Sequence, residues 1–353
     1  MTKLRFYIAK HVFFSILAVL VLVLCLDFIG QVMDQLNSLR ANYTFYEMLV
    51  YILWRLPTSV YQYLPYAVLV GCLIGLGALA SSSELVIVRA AGVSVARIVW
   101  IVLQPVLLFI VCAIALGEYV IPYADQVAES RRSLALGYTV EDQSKRGVWH
   151  REGNQYFYFN VVQPDGQLFG FRRYTFNDKG ELTQASFTRK ASFNGEYWLE
   201  EGVSVTEFTA TGTTAEKLPE RRWETELTPA LLNIVAVAPE TLSIASLHQY
   251  VEYLTEQNLY ASEYKLAFWQ KVFQPVATAS LVLIAISFVF GPLREVSMGQ
   301  RIFTGVVFGI GFRLLQSLLG PSSIVFGFAP LIAVIVPIAV CAGLGVYLLK
   351  RSG

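Results

Sequence analysis

Residues 81–97 read SSSELVIVRAAGVSVAR, a polar interruption between two long apolar runs at about 58–80 and 98–122. Ser81 and Glu84 have the spacing of a capping box, in which the hydroxyl bonds the amide of the third helical residue and the carboxylate reaches back to the cap amide. A short helix is therefore predicted to begin here. Gly92 can end it in the left-handed conformation, and Ser94 can cap the helix that follows. Held between two apolar runs, such a segment lies along a membrane surface and reads as a docking element.

The rest of the chain supports the membrane. Of 353 residues, 55% are hydrophobic and 15% charged, and the mean hydropathy is +0.52, which excludes an ordinary soluble globular protein. A spanning helix needs about 20 mostly apolar residues. Six stretches qualify, roughly 12–36, 58–80, 98–122, 266–291, 302–320 and 324–349. The first is expected to stay as a helix, because Asp27, Gln31 and Asp34 follow its apolar run where a signal peptide would carry small residues for cleavage. Lys3, Arg5, Lys10, Arg89, Arg97, Arg294, Arg301, Lys350 and Arg351 fall on one side of this topology, against Arg40 and Arg55 in the short loops of the other. Positive charge marks the cytoplasmic side, so both termini are predicted there.

The expected fold is thus an α+β membrane protein. Residues 1–122 carry three spans and the cytoplasmic segment, 123–263 form an external insert with its connectors, and 264–353 carry three more spans. The insert holds 13 Lys and Arg against 20 Asp and Glu, an acidic balance that argues against nucleic acid. From about 147 to 227 its residues alternate, with turn signals at Gly153-Asn154, Asp165-Gly166, Asn177 to Gly180, Asn194-Gly195 and Gly212. Six to eight strands fit, and an antiparallel sandwich or jelly roll is the simplest arrangement. Asn194-Gly195 is the sharpest signal, predicting a type I′ turn. Phe157, Phe159, Phe169, Phe171, Phe193, Trp198 and Trp223 face inward on this reading and either fill a core or line an apolar slot. Residues 241–260 then return to the membrane as a helix with Leu247, Tyr250, Val251 and Leu254 on one face.

Cys25, Cys72, Cys112 and Cys341 all lie in apolar runs and read as packing residues. Ionisable residues inside spans are functional candidates. Asp27 and Asp34 share a face of the first span and Arg313 lies midway along the fifth; they line a polar path, or else mark an interface and pair structurally. No Gly-Lys-Ser/Thr phosphate loop occurs, and His11, His150 and His248 have no metal spacing. Gly92-Val93-Ser94-Val95-Ala96 falls short of a nucleophile elbow, since no strand precedes it. Prolines at 57, 65, 105, 122, 275 and 292, with the small face Gly71, Gly75 and Gly77, permit helices to pack closely and move. A docking helix without a motor points to a permease driven by a separate ATPase.

Several stretches together resemble the lipopolysaccharide export permeases: SSSELVIVRAAGVS, Gly117-Glu118 with Pro122, LHQYV at 247–251, KVFQP at 271–275 and FGPLR at 290–294. The similarity runs from the first span to the last. It implies a subunit of an ABC transporter, without catalysis or cofactor of its own, paired with a paralogous permease, LptF, on a dimer of the ATPase LptB, which binds the ATP and magnesium. The pair takes lipopolysaccharide from the inner membrane of a Gram-negative cell and passes it through periplasmic jelly rolls, LptC and LptA toward the outer membrane. The resemblance also implies that Glu84 contacts the ATPase, with Val88, Arg89 and Gly92 shaping the contact. Where the family carries several lysines at the outer end of the first span, this sequence has Gln31, Asn37 and Ser38, leaving Arg40; Arg131 and Arg132 stand as substitutes. The substrate-binding candidates are therefore Asp34, Arg40, Arg131, Arg132, Arg313, Phe157 and Phe171. Two other readings survive at this stage: a scaffold or sensor whose β domain binds a partner, and a lipid-directed enzyme using Asp27, Asp34 or Glu118.

Overall fold

Long apolar runs of this length satisfy their backbone in lipid by becoming helices, even where a proline such as Pro337 stands near the middle of the run. The computed structural model describes residues 2–39, 42–136, 148–159, 161–162, 167–209, 212–225, 227–229, 232, 238–256, 259–291 and 296–352. Among these, six helices are long and apolar enough to cross a membrane: Lys3–Leu36, Phe45–Ser81, Val95–Arg132, Ser262–Phe290, Met298–Phe326 and Pro330–Arg351. The elements in chain order are α1 Thr2–Leu36, α2 Phe45–Ser81, α3 Glu84–Ala90, α4 Val95–Ala115, a π-helical turn Leu116–Val120, α5 Ile121–Leu136, seven strands, α6 Ile244–Glu256, α7 Ser262–Phe290, α8 Met298–Phe326 and α9 Pro330–Ser352. They divide into two compact units. One comprises 1–31, 56–120 and 243–353, the other 32–55 and 121–242.

In the first unit α2 is the most enclosed span. A Cβ on Gly71 would stand 2.5 Å from the Ile16 Cα of α1, so only glycine admits so close a crossing. Gly75 also faces α1, while Gly77 faces a side chain of α8, so the three glycines serve two neighbours rather than one. The π turn decides how α4 continues. Pro122 does not close the third span, as the sequence suggests, because the wider turn just before it has already broken the hydrogen-bond register that a proline would disrupt. The fifth span likewise runs through Pro321 and ends at Gly327, whose φ of 72° only a residue without a side chain adopts freely.

The strands of the second unit are β1 Val148–Glu152, β2 Gln155–Phe159, β3 Val161–Val162, β4 Leu168–Phe176, β5 Leu182–Phe193, β6 Trp198–Thr209 and β7 Gly212–Trp223. They form one antiparallel sheet in the order β1-β2-β4-β5-β6-β7, with β3 beside β4. Four strand spacings of about 4.8 Å separate β2 from β7 if the sheet is flat. The rings of Phe157 and Trp223 nevertheless stand 5.3 Å apart, and Thr225 donates to Glu152 across 2.8 Å. The sheet therefore curls until its two ends meet around an aromatic core of Phe157, Phe159, Phe171, Trp198 and Trp223 with Leu168 and Leu227.

A crease across the sheet explains where simple alternation fails. The register aligns Gly170, Arg189, Gly202 and Pro219 in one row, and both glycines have positive φ, 64° and 66°. On crossing this row the inward face changes parity: Leu168 and Phe171 are both buried on β4, and Glu200 and Val203 on β6. Phe169 accordingly does not join the core. Asn194-Gly195 is not a type I′ turn either, since among the described residues only Ser83 has positive φ without being glycine. A four-residue loop closes there instead, with the Asn194 side chain accepting from the amides of Glu196 and Tyr197. The Asp165-Gly166 turn lies outside the described residues.

Candidate functional site

The segment at 81–97 forms the short helix, but its start differs from expectation. Glu84 is the first helical residue rather than the third, so no capping box forms. Ser83 turns the chain in at φ 61°, Ser81 Oγ donates to the Ala78 carbonyl, and Ser82 Oγ donates to Glu84 at 3.0 Å. Its end is as the sequence reads. Gly92, at φ 83°, donates to the Arg89 carbonyl and Val93 to that of Val88, the two bonds of a Schellman close. Ser94 caps α4 by accepting from Arg97.

Half-buried Glu84 stands at a groove of about 170 Å³ lined by Leu4, Tyr7, Ile8, Leu79, Leu85, Ile87 and Val88. The Tyr7 hydroxyl donates to its carboxylate. Val88 is buried against the bundle and Gly92 is exposed; Ile87, which the sequence reading passed over, is 66% exposed and is the apolar group this helix presents. Arg89 lies over the ring of Phe290, the last residue of α7.

A second polar cluster sits within the spans of the same unit. Asp27 accepts from Gln31 and Ser59 on one carboxylate oxygen and from Tyr63 on the other, binding α1 to α2. Arg313 is exposed on α8 and interacts with the Tyr66 hydroxyl. Glu118, in the π turn, accepts from the first two amides of α6, Ile244 at 2.8 Å and Ala245 at 3.3 Å. Buried Lys271 donates to the Gly117 carbonyl, which the π turn frees, and lies over the Tyr61 ring. Tyr61, Gly117, Glu118, Ile244 and Lys271 border a cavity of about 20 Å³.

In the second unit Arg132 is drawn into a small basic cluster. Its guanidinium covers the Tyr51 ring at 5.1 Å from the centroid, and Glu129 approaches to 3.8 Å. Arg55 bonds the Tyr51 hydroxyl from its own side and faces Asp125. Two guanidiniums thus share one tyrosine. Arg132 Nε and the Tyr43 hydroxyl are both buried, with the guanidinium beside the phenol. Burial raises the Tyr43 phenol above its ordinary value of 10.0, against the pull of Arg132 beside it. Asp34 and Arg131 are exposed in this unit, and Arg40 lies outside the described residues. Arg55, Tyr43 and Tyr51 escape the sequence reading because an arginine and two tyrosines near a helix end look like interfacial anchors.

Phe157 and Phe171 are fully buried, their rings stacked in the aromatic core. On the same inner face lies a charged triad that the sequence reading did not single out. Glu200, 0% exposed, accepts from Arg173 on one oxygen and from Arg221 on the other, and Arg221 also donates to Ser186. Arg173 sits 4.8 Å from the centre of the Trp223 ring. Desolvation lowers its guanidinium from 12.5 to about 10, with Glu200 working the other way.

Residues 6–351 match the family described as lipopolysaccharide export system permease LptF/LptG. The chain is 34% identical over 352 residues to the lipopolysaccharide export system permease protein LptG of Escherichia coli K12, covering 98% of this chain and 97% of that one. To the protein of the same name from Haemophilus influenzae Rd it is 32% identical over 334 residues, covering 94% and 93%.

Proposed function

Because the chain belongs to the LptF/LptG family of lipopolysaccharide export permeases, we propose that it is the LptG-type permease subunit of an ABC transporter powered by a separate ATPase. In this reading it pairs with LptF on an LptB dimer, which binds the ATP and magnesium, and passes lipopolysaccharide from the inner membrane to LptC and LptA. Both termini and α3 are cytoplasmic, residues 123–263 are periplasmic, and the chain performs no chemistry.

The observation that carries the reading is the presentation of α3. A helix of 7 residues, too short to persist alone, is fixed between Ser83 and the Schellman close at Gly92, and is anchored by Leu85 and Val88. Among its described side chains it leaves outward the Glu84 carboxylate and the apolar Ile87, with Arg89 and Gly92 at its far end. A half-buried carboxylate held by two hydroxyls suits a charge-assisted bond to a partner. Arg132 and Arg55 around Tyr51, with Arg131 and Arg40, supply donors for lipid phosphates, and Asp34 supplies an acceptor for sugar hydroxyls. Arg313 faces outward from a span, where an unburied cation calls for an anionic neighbour. The aromatic core around Phe157 and Phe171 receives acyl chains if its stacked rings part.

Purification of the chain from a Gram-negative host in mild detergent, wild type beside Glu84→Lys, tests the reading. The wild type is expected to bring down a cytoplasmic ATPase and a second six-span permease, with nucleotide hydrolysis that the substitution abolishes. Recovery of the chain alone, without hydrolysis in either case, overturns it. Arg132→Glu with Arg40→Glu should weaken lipopolysaccharide crosslinking while leaving assembly intact; unchanged crosslinking removes the phosphate assignment.

A further inference from the structure

Arg301 enters the sequence reading only as one of several positive charges near the cytoplasmic side. The structure gives it a defined place. It lies in the first turn of α8, is 2% exposed, and donates through Nη1 to the Gly77 carbonyl at 2.6 Å. Gly77 stands one turn from the end of α2, where the helix dipole favours a cation. The contact is close enough that a Cβ on Gly77 would lie 2.9 Å from Nη1 and 3.0 Å from Cδ. Ser83 and α3 follow directly.

At its other end α3 is held by Arg89 over Phe290, the last residue of α7. The end of α2 and α3, which follow one another directly, thus touch both helices flanking the α7–α8 connection: α3 meets the end of α7 through Arg89, and α2 meets the start of α8 through the Gly77–Arg301 bond. We infer that Arg301 is a positioning residue for export, whose bond to Gly77 passes displacement of α3 on to α8. The inference rests on the proposed docking of an ATPase at α3. In water-poor surroundings a guanidinium bound to a carbonyl is a stiff link, since letting go costs a charge-assisted hydrogen bond that no water replaces. Arg301 is therefore a transmitting contact, distinct from the groups that touch the ATPase.

The test uses the complete transporter reconstituted in vesicles containing lipopolysaccharide, and reads nucleotide hydrolysis and lipid released per nucleotide hydrolysed. Arg301→Met removes the donor, and Gly77→Ala pushes it away while keeping a good helix former. Each should leave hydrolysis close to that of the wild type and lower lipid released per nucleotide by about tenfold, within the range of coupling between distant sites. The double variant should be no worse than either single one, because both remove the same contact. Arg301→Lys, a point charge without the fork, should fall between. Additive losses, an unchanged ratio, or hydrolysis falling in step with release would overturn the inference. If Arg301→Met does not assemble, Gly77→Ala carries the test, since it keeps the guanidinium. A wild-type complex that binds no ATPase overturns the docking at α3 itself, a failure read before any variant is compared.

Discussion

The two units bury cations in different ways. In the helical unit, Arg301 and Lys271 each donate to a backbone carbonyl, those of Gly77 and Gly117. In the β unit, Arg173 and Arg221 converge on a carboxylate, Glu200. The difference follows from where spare acceptors exist. A π turn frees carbonyls, which is where Gly117 lies, and a carbonyl close to a helix end, such as that of Gly77, keeps a second lone pair open to a side chain. A curled sheet spends its carbonyls on its ladders, so a buried charge on a strand is best met by another side chain. Bundle cations leave a neutral group behind when removed; sheet cations share a charged one.

That contrast predicts unequal damage. Glu200→Gln leaves the buried guanidinium of Arg173 and the part-buried one of Arg221 without their counter-charge and should cost about 3–5 kcal/mol, seen as lost hydrogen-exchange protection across β4 to β7 in the intact chain. Replacing the triad together, Arg173→Met with Glu200→Leu and Arg221→Leu, removes every charge and should restore protection to near the wild-type level. A Glu200→Gln sheet as well protected as the wild type would mean the triad is not the electrostatic unit its geometry describes.

Lys271→Met tests the other half. It strips a donor from the Gly117 carbonyl and should cost about 1–2 kcal/mol, measured as exchange at the π turn. A loss as large as that from Glu200→Gln would break the comparison. Glu118→Gln should act more locally still, costing about 1 kcal/mol at the first turn of α6, because it replaces a carboxylate that accepts from two helix N-terminal amides. Its effect should be absent from the strands.

Where the sequence was readable, the controlling physics was local. The six spans and the α6 face follow from composition and period, and the Gly92 close from one residue's freedom at positive φ. The start of α3 was misread because Ser81 and Glu84 fit a capping pattern, while the chain turns at Ser83, a residue with no intrinsic preference for φ 61°. Phe169 was misplaced because alternation assumes an unbroken pleat, and the Gly170 to Pro219 row breaks it across four strands at once. Such a row exists only after pairing, so no single strand displays it. Arg173, Glu200 and Arg221 each lie two residues from an inward aromatic, Phe171, Trp198 and Trp223, so alternation already places them on the inner face; what no single strand displays is that they meet as one triad. Arg301 was hidden by the charge rule that counted it. Glu84 was found through a motif, whereas its neighbour Ile87 needed the helix to show which side faces out.

Alkaline titration gives the smallest effect and the clearest difference in sign. Burial, reinforced by Tyr264, raises Tyr250 of α6 well above its ordinary 10.0. The unfolded chain then loses that proton first, so the folded state binds more protons and stability falls as the pH rises past 10. Arg173 behaves oppositely. Desolvation brings it down to about 10, below its ordinary 12.5, so between those values the unfolded chain binds more protons and stability rises with pH. Melting of the full chain at pH about 9 and about 11, compared with Tyr250→Phe and Arg173→Met, separates the two. Raising the pH should shift the balance against the wild type relative to Tyr250→Phe, and toward the wild type relative to Arg173→Met. No shift relative to Arg173→Met would mean that Arg173 stays charged in both states, with the Glu200 carboxylate holding the guanidinium proton more firmly than burial loosens it; the carboxylate would then dominate the triad, and Glu200→Gln should prove the more damaging for it.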